Sequence, residues 1–242
     1  MPFLSIVIPT KNEEANLPKL LKAIQAQTFK DYEIIVADNG STDRTREVSE
    51  SYGARVVPGG LPGVGRNRGA EAARGQVTLF LDADTGLPHN DFLEKNLQEM
   101  KDKGIDVATC RYSPDAGSPA VKLLFWLYDH YVLLMEKIRP YAGGFCIFVK
   151  TQVHRAIGGF DESVVFAEDH EYVQRAAKKG FRFRILRARP VVMSTRRMQK
   201  QGALAIAWKY IKAESHILFI GHHKTLPKGG YEMGGDVFKD KH

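Results

Sequence analysis

Apolar residues in this chain come either in short unbroken runs or at intervals of three and four, and the two patterns alternate. Residues 4–9 (LSIVIP) are continuously apolar and β-branched, as in a central parallel strand covered on both faces. A helix is expected next, with Leu17, Leu20, Leu21 and Ile24 in one stripe, Asn16 as N-cap and Pro18 in the first turn, where its missing N–H is no loss. Residues 32–37 (YEIIVA) read as the second strand, ending at Asp38. The turn Asn39-Gly40-Ser41-Thr42-Asp43 then offers Ser41 or Asp43 as the cap of a helix through Ser51. A short strand at 55–57 leads into PGGLPGVGR, read as a glycine-rich loop feeding a helix from about Arg66 to Ala73. Residues 77–81 form a short apolar strand that runs directly into Asp82-Ala83-Asp84.

In the second half, Asp91 is placed to cap a helix to about Lys103, and residues 106–111 read as a strand. Residues 120–138, rich in Leu, Phe, Trp and Tyr, predict a helix that is nearly apolar all round. It is either a core helix or one that faces an acceptor or a membrane. The pair Gly143-Gly144 before a strand at 145–149 suits a turn or a close backbone approach to a ligand. Glu168-Asp169 open a helix to Lys179, where carboxylates either cap the helix or stand as a base at the mouth of a site. Residues 181–185 alternate apolar residues with arginine, like a strand with one basic face. A last strand is expected at 191–194, followed by Arg196-Arg197 and a helix over 201–220. That helix places Leu204, Trp208, Ile211 and Leu218 near one face, for packing or for a lipid interface, before a Gly- and Lys-rich tail. The strand and helix rhythm is that of an α/β fold with a mixed, mostly parallel sheet flanked by helices and a C-terminal helical appendage.

The length of 242 residues accommodates one large α/β domain. Cys110 and Cys146 lie in apolar runs without metal-ligand spacing, which predicts buried, unbridged thiols in a reducing compartment. The first residues enter a strand pattern without a signal-peptide pattern, so a cytoplasmic protein is expected, and no apolar run approaches the ~18 residues that span a bilayer. The net charge of +7 favours an anionic partner: nucleotide phosphates, an acidic lipid surface or nucleic acid. Nucleic acid is set aside because the basic residues lack interleaved aromatic platforms.

Candidate chemistry gathers at strand ends. Asp82 and Asp84, one residue apart past a buried strand, can share a hard divalent cation with waters and a diphosphate, or can simply cap backbone amides in a turn. Asp38 ends the second strand, and in an open parallel sheet ligands bind beyond the carboxyl ends of strands, so one crevice can hold all three. Gly63 and Gly65 supply half of a dinucleotide fingerprint. The third glycine falls one position late, at Gly69, and the stretch does not follow the first strand; a loop delivering Arg66 or Arg68 towards phosphate fits better. An anion-binding arginine, a metal-binding pair and a lone carboxylate downstream suit a phosphorylated leaving group attacked by a deprotonated hydroxyl. Two rivals stand beside that transfer reading: a sugar-phosphate nucleotidyltransferase, whose glycine-rich first loop is not matched by PTKNEEANLP, and a non-catalytic nucleotide-binding protein of the same fold.

The ordered set SIVIPTKNEE, ADNGSTDRT, GVGRNRGA, DAD, GGF and a late ED resembles the family 2 glycosyltransferases with the GT-A fold, over about residues 3–197. The resemblance implies a GT-A domain at 1–197, with a nucleotide-sugar half at about 1–111 and an acceptor half at about 112–197, followed by a helix and tail at 198–242. It further implies a nucleotide-sugar site lined by Pro9, Thr10, Glu13, Asp38, Arg66, Asp82 and Gly144, with Asp38 accepting from the base, commonly uracil, so that a UDP-sugar is favoured. Asp82 and Asp84 would hold Mg²⁺ or Mn²⁺. Asp169 would be the base of an inverting single displacement, with Glu168 assisting or orienting it. Arg196 and Arg197 would clamp the diphosphate. The processive Q-x-x-R-W motif is absent, which implies one sugar at a time. A third metal ligand is not evident; His216, His222 and His223 are candidates only by position. The acceptor is open, with a polyprenyl- or lipid-linked one and peripheral contact with the inner face of a membrane as the expectation should the C-terminal helix touch lipid.

Overall fold

The computed structural model describes residues 1–116, 118–164 and 167–193. Their elements in order are β1 (Leu4–Thr10), α1 (Leu17–Gln25), β2 (Tyr32–Asp38), α2 (Thr45–Ser51), β3 (Arg55–Pro58), α3 (Pro62–Glu71) and β4 (Val77–Leu81). There follow α4 (Phe92–Asp102), β5 (Val107–Pro114), α5 (Pro119–Met135), β6 (Cys146–Lys150), α6 (Thr151–Ile157), α7 (Glu168–Lys178) and β7 (Phe183–Met193).

The strands form one sheet in the order β3-β2-β1-β4-β6-β5-β7. All pairings are parallel except those of β6, which runs antiparallel to β4 and to β5. Alternation along β1 divides the core. Leu4, Ile6 and Ile8 face one layer with α1 and α4, whereas Val7 faces the other with α3, α5, α6 and α7. Burial on both faces is why the central strands read as unbroken apolar runs.

Several boundaries differ from the sequence expectation. The glycine-rich stretch is helical from Pro62, four residues before the expected start, so most of the expected loop is α3. Residues 183–193 make one strand where two were read; it pairs with β5 in parallel through a register shift between Cys110 and Tyr112. The seven-residue α6 is unanticipated. Asn16 and Asp91 occupy N-cap positions, but neither side chain caps its helix. Asn16 donates to Glu13 at 2.8 Å, and Asp91 pairs with Arg189 at 2.6 Å. At α2 the N-cap position falls on Arg44, and Asp43 accepts from the Thr45 N–H at 3.0 Å. Cys110 and Cys146 are buried free thiols as expected, side by side on β5 and β6 with their sulfurs 3.5 Å apart. No helix among the described residues is long and apolar enough to cross a membrane.

Candidate active site

β1, β2 and β4 are parallel neighbours, so their carboxyl ends open on one edge of the sheet. At that edge the loop after β1 is laced to the loop after β2. Lys11 Nζ donates to the carbonyls of Asn39 and Gly40 at 2.8 and 2.6 Å, and the Asn12 N–H donates to Ser41 Oγ at 2.9 Å. The Thr42 N–H returns a bond to Asn12 Oδ1 at 2.9 Å, and the Glu13 N–H donates to Thr45 Oγ1 at 2.8 Å. Asp38 lies beneath this lacing. It accepts from the Ser41 N–H at 3.1 Å, from Ser41 Oγ and from Thr10 Oγ1, and its side chain is 2% exposed. In this arrangement Asp38 orders the loop.

α3 brings the next component. Gly65 and Gly69, four apart, form the helix face laid against β1. A Cβ on Gly65 would meet Pro9 at 3.3 Å, and one on Gly69 would overlap Val7. The flush packing directs Arg66, the residue after Gly65, into the interior. There its Nη1 donates to Glu168 at 2.6 Å and its Nη2 to Asp82 at 2.9 Å, while its guanidinium lies over the Phe160 ring at 5.5 Å. The expectation of a mobile loop carrying Arg66 to phosphate is therefore corrected: Arg66 is a buried brace on a helix. Arg68 is also turned to the protein, bonding the Gly59 carbonyl at 2.6 Å.

Burial opposes the Arg66 charge, but Asp82, Glu168 and Asp169 outweigh it and hold the guanidinium above its ordinary value. Burial, reinforced by Asp169, pushes the Glu168 carboxyl up against the pull of Arg66. Asp169 is fixed from two sides, its Oδ2 accepting from the Gly144 N–H at 2.6 Å and its Oδ1 from the His170 N–H at 2.9 Å. Any residue but proline could donate the N–H at position 144, but a Cβ at Gly144 would collide with Arg66 Nη2. α7 thus presents Glu168 inward and Asp169 at its first turn, after Ala167 in the left-handed region at φ 57°.

Along this edge Thr10 bonds Asp38, Arg66 bonds both Asp82 and Glu168, and Asp169 bonds the Gly144 N–H, while Pro9 on β1 lies under Gly65 of α3. Glu13 closes the first loop through its Asn16 bond, and Asp84 is exposed in the loop after β4. Arg196, Arg197, His216, His222, His223 and the expected helix at 201–220 lie outside the described residues. Among the described residues no group of three or more His, Cys, Asp or Glu side chains converges as a metal cage. The Asp82-Ala83-Asp84 donor set nevertheless suits Mg²⁺ or Mn²⁺. Two hard carboxylates, one of them exposed, match a cation that takes its remaining ligands from phosphates and water. The sequence reading missed Asn67, which clasps Phe160 through its backbone N–H and carbonyl at 2.7 and 2.9 Å and so seats the ring beneath Arg66. Its only sequence signal was its position beside Arg66.

The family model described as glycosyl transferase family 2 matches residues 5–156, more than half of the chain. Glycosyltransferase AglE of Haloferax volcanii is 28% identical over 198 residues, which cover 75% of this chain and 63% of that protein. A Campylobacter jejuni relative, GalNAc(5)-diNAcBac-PP-undecaprenol beta-1,3-glucosyltransferase, is 38% identical over 96 residues, 36% of this chain and 31% of its own. The chain thus spans less than two thirds of the length of either relative. Two solved structures share the fold. The mannosyltransferase PcManGT from Pyrobaculum calidifontis, in complex with GDP-Man and Mn²⁺, aligns with a TM-score of 0.67 at 20% identity over 87% of this chain and 64% of that one. S. aureus TarS 1-349 in complex with UDP-GlcNAc aligns at 0.63 with 23% identity over 80% and 58%.

Proposed function

We propose, from the premise that this chain belongs to glycosyl transferase family 2, that it moves one sugar at a time from a nucleoside-diphosphate sugar to an acceptor hydroxyl, with inversion at the anomeric carbon. The observation that carries the reading is the Arg66 brace. One buried guanidinium ties Asp82, on the donor side after β4, to Glu168, whose neighbour Asp169 starts α7, and so fixes donor and base sides relative to each other.

Asp169 is the base. Its two backbone N–H bonds orient the carboxylate, which accepts the acceptor proton as that oxygen attacks the anomeric carbon. The bond to the diphosphate breaks with its electron pair on the leaving nucleotide. Glu168 is a positioning residue acting through Arg66. Pro9, Thr10, Glu13 and Asp38 form the nucleotide end, with uracil the favoured base, and Gly144 lets the chain pass close to the sugar. Arg196 and Arg197 supply a diphosphate clamp. Asp82 and Asp84 would hold Mg²⁺ or Mn²⁺, which when bound neutralises charge on the departing diphosphate. Residues 1–111 serve the donor, 112–197 the acceptor, and 198–242 are an appendage. A polyprenyl- or lipid-linked acceptor, met at the inner face of a membrane, fits the undecaprenyl-linked substrate in the name of the Campylobacter relative.

The test is nucleotide release from a panel of UDP-, GDP- and dTDP-sugars with Mn²⁺ or Mg²⁺, with and without EDTA. One donor is expected to turn over, and EDTA is expected to stop it. Asp169→Asn should lose turnover while still binding nucleotide, and full turnover by that variant would remove Asp169 as the base. If no nucleotide in the panel binds, the transferase reading falls.

A further inference from the structure

The sequence pattern left α5 open between a core helix and a surface one, and the structure makes it both. Phe125 and Val132 are buried against the sheet layer, but Leu123, Trp126, Leu127, Tyr131 and Leu134 are about half or more exposed, as is Ile138 just past the helix end. Their spacing, i, i+3, i+4, i+8 and i+11, places the five helical residues along one face of a 17-residue helix about 25 Å long.

The charges of this element are sorted. Its two carboxylates are turned inward, Asp129 to Arg111 at 2.7 Å and Glu136 to the Ile185 N–H at 2.5 Å. The charged residues exposed beside the apolar stripe are Lys122 and Lys137, one near each end, and the His130 ring lies tilted on Trp126 with centroids 4.1 Å apart. An apolar stripe with a tryptophan, bracketed by lysines and cleared of acids, complements an anionic lipid surface, where apolar side chains enter the acyl boundary and ammonium groups meet the headgroups. A protein partner would equally cover the leucines but gives no reason for both acids of the helix to be withdrawn.

The stripe also lies next to the candidate site. Tyr128 on α5 meets the Tyr141 ring edge-on at 5.8 Å, and Tyr141 packs on His170 at 3.8 Å, one residue from Asp169. A bilayer seated on the outer face of α5 would bring a membrane-borne hydroxyl to the acceptor side of the crevice.

We propose that the exposed face of α5, Leu123, Trp126, Leu127, Tyr131 and Leu134 with Lys122 and Lys137, is a docking surface for an anionic lipid bilayer. This goes beyond the reaction assigned above and is read without turnover. The test is flotation of the full-length chain with phosphatidylglycerol/phosphatidylcholine vesicles and with pure phosphatidylcholine vesicles. The chain should float with the anionic vesicles. A triple variant, Trp126→Ser, Leu127→Ser and Leu134→Ser, should lower the bound fraction about tenfold, because interfacial binding scales with buried apolar area. Lys122→Gln with Lys137→Gln should weaken binding roughly fivefold per lysine, on anionic vesicles only. Unchanged thermal midpoints and unchanged nucleotide release from a soluble donor would show that the variants are folded.

Triple-variant binding within twofold of the parent would overturn the proposal. So would loss of binding on Trp208→Ser with Ile211→Ser alone, which would assign the contact to the C-terminal segment. A concentration-dependent dimer of the parent that the triple variant abolishes, without vesicle binding, would assign the stripe to a second copy.

Discussion

At Arg66 three requirements meet: a glycine before it to lay α3 on β1, a glycine at 144 to leave room for its Nη2, and carboxylates at 82 and 168 to hold both ends of its fork. Replacing Arg66 by Met would leave Glu168 buried beside Asp169 without its counter-ion. Such losses cost several kcal/mol, but Asp82 is 39% exposed and its share is screened, so about 2–4 kcal/mol of stability should be lost, together with turnover. Urea denaturation and nucleotide release would measure both. Arg66→Lys should fail nearly as badly in turnover, since one ammonium cannot reproduce the two-ended fork; full activity in that variant would mean that charge alone suffices. Gly144→Ala separates the two effects. Its methyl group would push the guanidinium aside while leaving every charge in place, so turnover should fall about a hundredfold for a stability loss of about 1 kcal/mol. Equal losses in both, converted on one energy scale, would make Gly144 merely structural.

α3 shows why some elements were legible in the sequence and others were not. Strands β1, β2 and β4 and helices α1 and α7 carry their burial in local periodicity, and they form where the pattern puts them. PGVGRNRGAE instead contains three glycines, each costing up to about 1 kcal/mol in a free helix, and local propensity read its first four residues as loop. Packing overrides propensity here, and the spacing of Gly65 and Gly69 was the available sign. The argument predicts that Gly69→Ala, which should help an isolated helix, will instead destabilise the protein by about 1–3 kcal/mol, because its Cβ overlaps Val7 in a filled core. Combined with Val7→Ala, the losses should be less than additive by about 1 kcal/mol, measurable as a coupling energy in a denaturation cycle. Additive losses would refute the flush contact. Strand β7 was read as two because Arg187 to Pro190 interrupt the alternation. As an edge strand it tolerates a proline without a ladder donor, which a sequence pattern without a sheet order does not reveal. The site was legible residue by residue but not as a constellation: Asp82, Glu168 and Asp169 stand out as types, whereas the Arg66 brace spans 102 positions and exists only once the sheet is assembled.

On the scale of the molecule, the layer beneath the site carries an acid sensitivity of its own. His154 on α6 is buried between Phe80 and Tyr172, its Nδ1 2.8 Å from the tyrosine hydroxyl. Burial first, then Arg175 and Arg155, depresses it to about 4. It is neutral in the fold, whereas in the unfolded chain it takes up a proton near pH 6.5. Between those values the unfolded state binds more protons, so stability rises with pH and is lost on acidification from about 6.5 towards 4, by up to about 3 kcal/mol. Glu33 and Glu99 act with the same sign lower down. Burial pushes each up, yet Arg74 and Ser5 for Glu33, and Lys103 with the Arg187 and Ala188 N–H groups for Glu99, hold them below their ordinary value. Their contribution therefore fades only as the pH drops through the carboxylate range. Two stages of acid weakening are expected; in the upper one Glu168, whose raised carboxyl gains its proton more readily in the fold, opposes His154. Urea midpoints taken from pH 7.5 to 4.5 should fall from pH 6.5 downward in the parent. His154→Asn, less stable at neutral pH, should lose this fall between 6.5 and 5 and then join the carboxylate loss. A parent profile no steeper than the variant's in that window would mean that the histidine keeps its proton in the fold, and that the layer of Phe80, Phe160 and Tyr172 accommodates a charge.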